Sequence, residues 1–194
     1  MTIVAEDDRG RRRAGTEGTR TQLPLGRGQD GAAPGTMRLC RGGRTTIGSG
    51  SSGVDCAACA DAHLPSNAFS DLIAELPGSY ARLSRNQTHA GYAVLFAKRH
   101  AVELHDLTEE ELRLFWLDVA AVGRTVDALF APVKLDNLVM GHLCPHVHCH
   151  VYPQYEHDDP HALIDIQDGT IRLAEDAWHE RLTSMRDHLL RHHP

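Results

Sequence analysis

Three histidines alternate with small or apolar residues in Pro145-His146-Val147-His148-Cys149-His150-Val151-Tyr152-Pro153. Successive side chains of an extended strand point to opposite faces. His146, His148 and His150 therefore share one face, and Val147, Cys149 and Val151 face a core on the other. A row of imidazoles offers a proton donor, a proton acceptor, a nucleophile and a metal ligand near neutral pH. The chain holds 14 histidines, so some clustering is expected. Three on one face of one strand, backed by an apolar face, point to function. The pattern alone leaves a metal site and a nucleophilic site both open.

The remainder of the chain narrows the setting. Its 194 residues, 41% of them hydrophobic, are enough for one ordinary domain with a core. A formal net charge of -6 argues against a nucleic-acid partner. Five cysteines, an odd number, with a close pair at Cys56 and Cys59, do not form a secreted disulfide framework. No stretch is apolar and long enough to span a membrane. Met1 to Arg20 is charged and has no apolar run of a signal peptide, so the expected location is the cytoplasm. Residues 1–53 are rich in Gly, Arg, Thr and Ser, a composition that buries too little apolar surface to offset ordering entropy. They are expected to form a disordered extension, with Met37 as a later candidate start.

Several elements can be read from periodicity. Cys56-Ala57-Ala58-Cys59 is a C-x-x-C pair, fit for half a zinc site, a redox pair or two buried thiols. Phe69, Leu72, Ile73 and Leu76 recur at helical spacing before Pro77-Gly78, which predicts a short helix over Ala68 to Leu76. Tyr80 to Ser84 and Tyr92 to Ala97 flank a polar turn and predict an antiparallel hairpin. Thr108-Glu109-Glu110-Glu111 is a capping box. Leu112, Phe115, Trp116, Val119, Val122 and Val126 follow at helical spacing, so a long amphipathic helix is expected as far as Phe130, where Ala131-Pro132 breaks it. Lys134 to Met140 alternates as a strand. Thr170 to Leu173 is read as a short strand. Trp178, Leu182, Met185 and Leu189 lie on one face of a final helix, with His188, His192 and His193 as solvated tail residues.

The stretch Gly141 to Pro153 resembles the signature of the histidine triad (HIT) family: His, apolar, His, apolar, His and two apolar residues after a Gly-containing turn. The hairpin around Asn86-Gln87 and Gly91 to Phe96, the Lys98-Arg99-His100 end, the long helix and the strand from Lys134 are similar in order. The resemblance covers roughly residues 54–160, leaving a C-terminal strand and helix over 161–194. It implies an α+β fold, a five-stranded antiparallel sheet with two main helices, and a homodimer across the long helix. It also implies a nucleotide hydrolase or nucleotidyl transferase acting at the α-phosphorus of a small-molecule substrate. Dinucleoside polyphosphates, nucleoside phosphoramidates and related adenylated compounds are the candidates.

By position in the motif, His148 is the nucleophile. His150 holds a phosphate oxygen or protonates the leaving group, and as a third His rather than Gln it resembles the hydrolase branches. Asn86, Gly141, His148 and His150 form the implied nucleotide-binding set, although Asn86 reads equally as a plain turn residue. Some branches carry a structural zinc, and the implied ligands here are Cys56, Cys59, His100 and His146, with no organic cofactor. Asp136 and Gln154 depart from the family's commoner Asn and Arg, and a carboxylate near phosphates repels them unless it is paired. Two other readings stand beside the hydrolase. One is a zinc-dependent hydrolase whose three histidines ligate the metal; the other is a nucleotide-binding module without catalysis.

Overall fold

The computed structural model describes residues 56–141, 144–162, 164, 166 and 171–193. The expectations for residues 1–53 and for Thr170 lie outside them. One five-stranded antiparallel sheet forms the framework. Its strands are β1 (Ser70–Glu75), β2 (Ser79–Ser84), β3 (Ala93–Ala97), β4 (Lys134–Leu138) and β5 (His148–Gln154), in the order β1-β2-β3-β5-β4. A short α1 (Ala57–Asp61) precedes the sheet. The long α2 (Glu109–Phe130) lies between β3 and β4, and α3 (Glu175–His192) closes the chain.

The hairpin expected around Asn86 is β2–β3, with Arg82 opposite Val94 and Tyr80 opposite Phe96. Its turn depends on two residues. Gly91 sits at φ 86°, where only glycine is unstrained, and an added Cβ would lie 2.5 Å from Phe130 Cδ2. Gln87 is buried and ties the turn together: its amide donates to the carbonyls of Ser84 and Tyr92, and its oxygen accepts from Gly91 N and Arg181.

α2 begins at the expected capping box, with Thr108 and Glu111 satisfying each other's backbone N–H. It ends where Ala131 turns left-handed, at φ 47°, ahead of Pro132. Phe115, Val119, Val122 and Val126 bury against Leu83, Ala93, Leu95, Cys149 and Val151 of the sheet. Trp178, Leu182, Met185 and Leu189 of α3 join the same core. Both long helices thus cover one face of the sheet, and the histidines stand on the other.

Three expectations are corrected. Ala68 to Leu76 is not a helix, because Ser70–Glu75 forms edge strand β1, paired with β2. A bulge between Leu72 and Ala74 breaks the two-residue alternation, leaving an apolar spacing that imitates a helix. Its polar residues are buried by distant partners. Asp71 accepts hydrogen bonds from Ser66, Arg85 and Trp178, and Ser70 accepts one from Arg82. Residues 171–173 are not a strand; the Ile171 carbonyl accepts from Gln87 N and ends as a loop contact. Nor are His188 and His193 solvated tail residues. Both are half-buried, His188 against the Thr125 hydroxyl at 3.3 Å and His193 Nε2 at 3.7 Å from Asp118 Oδ1. Among the described residues, no helix is long and apolar enough to cross a membrane.

Candidate functional site

Register decides which side chains meet. Val94 lies opposite His150, Phe96 opposite His148, and Leu138 opposite His150 on the other side. Directly opposed residues share a face. Phe96, His148, Val94 and His150 therefore form one surface, while Leu95, Cys149 and Val151 point into the core. The alternation expected from the sequence holds within β5, but His146, expected in the same row, lies before the strand.

His148 and His150 are both buried, with ring centroids 5.0 Å apart and planes at 73°. His148 stacks on Phe96 at 5.4 Å. Its Nδ1 lies 2.6 Å from the His146 carbonyl oxygen, which can only accept. The proton therefore sits on Nδ1, and Nε2 carries the lone pair. Burial pushes the His148 imidazole below its ordinary value, against the His146 carbonyl bond that raises it. His150 is pushed down to about 3, by burial first and by the neighbouring His148 second. Both rings are neutral at physiological pH. His150 Nδ1 meets the Tyr92 hydroxyl at 2.7 Å, and its Nε2 is buried with no hydrogen-bond partner among the described residues.

His146 belongs to a second cluster. Its Nε2 donates to the Ala97 carbonyl at 2.8 Å, so Nδ1 keeps the lone pair. That Nδ1 faces Cys56 Sγ at 3.5 Å, Cys59 Sγ at 3.4 Å and His100 Nδ1 at 3.4 Å. The four ligand atoms of Cys56, Cys59, His100 and His146 all lie within 4.8 Å of one another. Tetrahedral zinc, with bonds of about 2.3 Å to sulfur and about 2.05 Å to nitrogen, implies S···N edges of about 3.5 Å and N···N edges of about 3.4 Å. The observed spacings match these edges. Lone pairs converging at such distances repel one another unless a cation lies between them. The Ala97 carbonyl supplies the outer hydrogen bond that commonly orients a ligating imidazole. The residues fit a zinc ion, then, and the site would be closed: two sulfurs and two nitrogens with no open position. A hydrogen bond with the Cys144 thiol, the largest influence, and contacts with His146 and the Cys59 backbone hold the Cys56 thiol far below its usual range, against burial.

Other expected site residues occupy different surroundings. Asn86 sits in the β2–β3 turn and accepts from Thr88 N through Oδ1 at 3.1 Å. Gly141 is exposed, its missing Cβ directed at the carbonyls of Cys144 and Val102. Among the described residues, no hydrogen bond or ring contact joins either one to His148 or His150. The two departures from the family pattern answer each other: Gln154 Nε2 donates to Asp136 Oδ2 at 3.0 Å. Tyr92 and Cys144 were not read as site residues. Tyr92 immediately precedes β3, two residues from Val94 and four from Phe96, so its place on the histidine face follows once the register is known.

A HIT domain model matches residues 66–157, which span both the hairpin and the full triad. Residues 66–157 form a HIT domain. Solved HIT structures share the fold. A histidine triad protein from Bradyrhizobium japonicum is 22% identical, covering 62% of this chain and 91% of its own, at a TM-score of 0.52. One from Marinobacter aquaeolei VT8 is 16% identical, covering 64% and 91%, at 0.56. A Zn-bound histidine triad family protein from Mycobacterium smegmatis is 18% identical, covering 70% and 94%, at 0.52. At these identities the likeness concerns the fold. No curated protein matches the chain. The HIT domain match supports a role in the family's nucleotide binding or hydrolysis.

Proposed function

We propose that the chain is a nucleotide hydrolase of HIT type, acting at the α-phosphorus of dinucleoside polyphosphates, nucleoside phosphoramidates or related adenylated compounds. One observation carries the reading. The His146 carbonyl, 2.6 Å from His148 Nδ1, leaves the His148 Nε2 lone pair as a fixed nucleophile, beside a buried His150 Nε2 that has no partner among the described residues. In the first step the His148 Nε2 lone pair forms a bond to phosphorus. The bond from phosphorus to the leaving atom breaks, and its electron pair departs with the leaving group. Water then attacks phosphorus, the N–P electron pair returns to His148, and the proton of water is released with the nucleotide. Asn86 and Gly141 are assigned to the nucleotide on the family pattern alone.

Cys56, Cys59, His100 and His146 would hold a zinc ion of the kind named for the Mycobacterium smegmatis relative, which fits the zinc-containing bacterial branch of the family. Bound there, zinc supplies cross-linking rather than Lewis acidity, because a Cys2His2 set leaves no open position. It would anchor α1, the His100 loop and the entry to β5. Zinc-based catalysis by all three histidines is disfavoured, since only His146 belongs to the metal-competent group among the described residues. A homodimer is supported by edge strand β4 and by the exposed Trp116, Leu117, Leu129 and Val133 of α2 and the turn after it.

The test compares nucleotide release from diadenosine tetraphosphate and adenosine phosphoramidate by the wild type and by His148→Ala. Turnover by the wild type, lost in the variant, is expected. AMP binding without turnover of either compound by the wild type would instead favour the non-catalytic module.

A further inference from the structure

The hydroxyl of Tyr92 lies 2.7 Å from His150 Nδ1, deep in the sheet face that carries the triad. Both residues are buried, Tyr92 at 2% exposure and His150 at 8%. A buried phenol must place its proton on an acceptor. Among the described residues, the one hydrogen bond made by this hydroxyl is to His150 Nδ1. Neutral imidazole has one donor nitrogen and one acceptor nitrogen. With the phenol donating, Nδ1 is the acceptor and the ring proton is on Nε2. That Nε2 is buried and lacks a partner among the described residues. The face therefore holds a donor with no acceptor, next to a nucleophile whose lone pair is free.

Tyr92 is held in place for this task. Its carbonyl accepts from Ser84 N and from the Gln87 amide, both at 3.1 Å, so the hairpin turn fixes the backbone. Its ring packs edge-on against Tyr152 at 5.0 Å, and Tyr152 in turn packs on His89 at 4.5 Å. Burial raises the Tyr92 phenol above its ordinary value, which keeps its proton on.

We propose that Tyr92 is a positioning residue that locks His150 in its Nε2–H tautomer, and so makes His150 a hydrogen-bond donor to a non-bridging phosphoryl oxygen rather than the acid that protonates the leaving group. The chemistry separates the two roles. Loss of the Nε2 proton from a neutral ring whose Nδ1 is not protonated leaves an imidazolate, or a tyrosinate if Tyr92 passes its proton on. Neither is a reasonable product in a buried site. A donor to the phosphoryl oxygen gives nothing up, and it strengthens as negative charge gathers there in the transition state. The consequence concerns substrate class. Leaving groups that depart as stable anions, such as phosphates or carboxylates, need no acid. Amines do need one, and because His150 does not supply it, turnover of a phosphoramidate takes that proton from another source.

This inference rests on the hydrolase reading, and the experiment separates the two. Long-range 15N–1H correlation spectra of the full chain report which nitrogen of His150 is protonated, assigned by comparison with His150→Asn. Wild-type protein should show His150 protonated on Nε2, and Tyr92→Phe should show a mixture of tautomers. In kinetics, Tyr92→Phe should lower kcat about tenfold, less than removal of a whole oxyanion donor, with KM little changed. That loss should be equal for an AMP ester of p-nitrophenol and an AMP ester of a more basic phenol. A wild-type His150 protonated on Nδ1, or a tautomer unchanged in Tyr92→Phe, would overturn the positioning role. A kinetic loss that grows with leaving-group basicity would restore His150 as the acid and overturn the phosphoryl-donor role. If the spectra behave as expected while wild type turns over neither ester, the hydrolase reading fails and the tautomer lock stands.

Discussion

Burying His150 makes the fold sensitive to acid in a way that can be calculated. The native imidazole is held down to about 3, by burial first and His148 second, while an unfolded-state histidine titrates at about 6.5. The folded value is the depressed one, so the folded state resists protonation. The stabilisation is fully present above the unfolded value and is lost as pH falls from about 6.5 towards 3. Between pH 7 and pH 5 the unfolded chain takes up a proton that native His150 refuses, which costs about 2 kcal/mol. For a chain of this size that corresponds to about 4–8 °C in melting temperature. Other histidines and any bound zinc also respond over this range, so the wild type is compared with His150→Asn, which keeps an acceptor for Tyr92 but does not titrate. Thermal or urea unfolding at pH 7, 6 and 5 measures both. The wild type should lose about 2 kcal/mol more than the variant across the range. Parallel pH profiles would show that His150 is solvated or protonated in the folded protein, and the neutral-donor argument would fall with it.

Three further outcomes follow from the geometry. Purified chain should contain one zinc ion, and chelation or Cys59→Ser should lower stability by several kcal/mol, read as a melting shift beside metal analysis; metal-free protein with an unchanged melting temperature would exclude the closed site. Gly91→Ala combines a left-handed backbone with a Cβ 2.5 Å from the Phe130 ring and should cost about 1–3 kcal/mol in a urea titration, so an unaffected midpoint would contradict the turn conformation. Trp178→Phe removes the indole N–H that donates to buried Asp71 at 2.6 Å and should cost about 1–3 kcal/mol; a neutral substitution would mean that this hydrogen bond adds nothing to the docking of α3 on β1, where Arg186 also donates to the Leu72 and Ile73 carbonyls.

Much of this protein is determined within short windows of its sequence, because the interactions involved are local. The capping box at Thr108 satisfies helix N–H groups within four residues and marks the start of α2. His148 and His150 share a face because strand geometry alternates with every residue, whereas His146 precedes β5 and turns to the thiol cluster. Val147, Cys149 and Val151 bury for the same reason. The C-x-x-C pair by itself fits half a zinc site, a redox pair or two buried thiols, and only the resemblance to the HIT pattern implies His100 and His146 as further ligands. Other features wait for tertiary structure, because the deciding partner is distant in the chain. Ser70 and Asp71 fall in a stretch whose spacing predicts a helix but are buried in a strand, since Arg82 and Trp178 satisfy them across 12 and 107 residues. Asp136 looked hostile to phosphate until Gln154, on the neighbouring strand, was found to pair with it. Tyr92 and His150 stand 58 residues apart, and only the register of β3 on β5 brings a phenol to an imidazole. Local pattern names the histidines and, through the His146 carbonyl, sets the proton of His148; strand pairing decides which nitrogen of His146 and of His150 carries the proton.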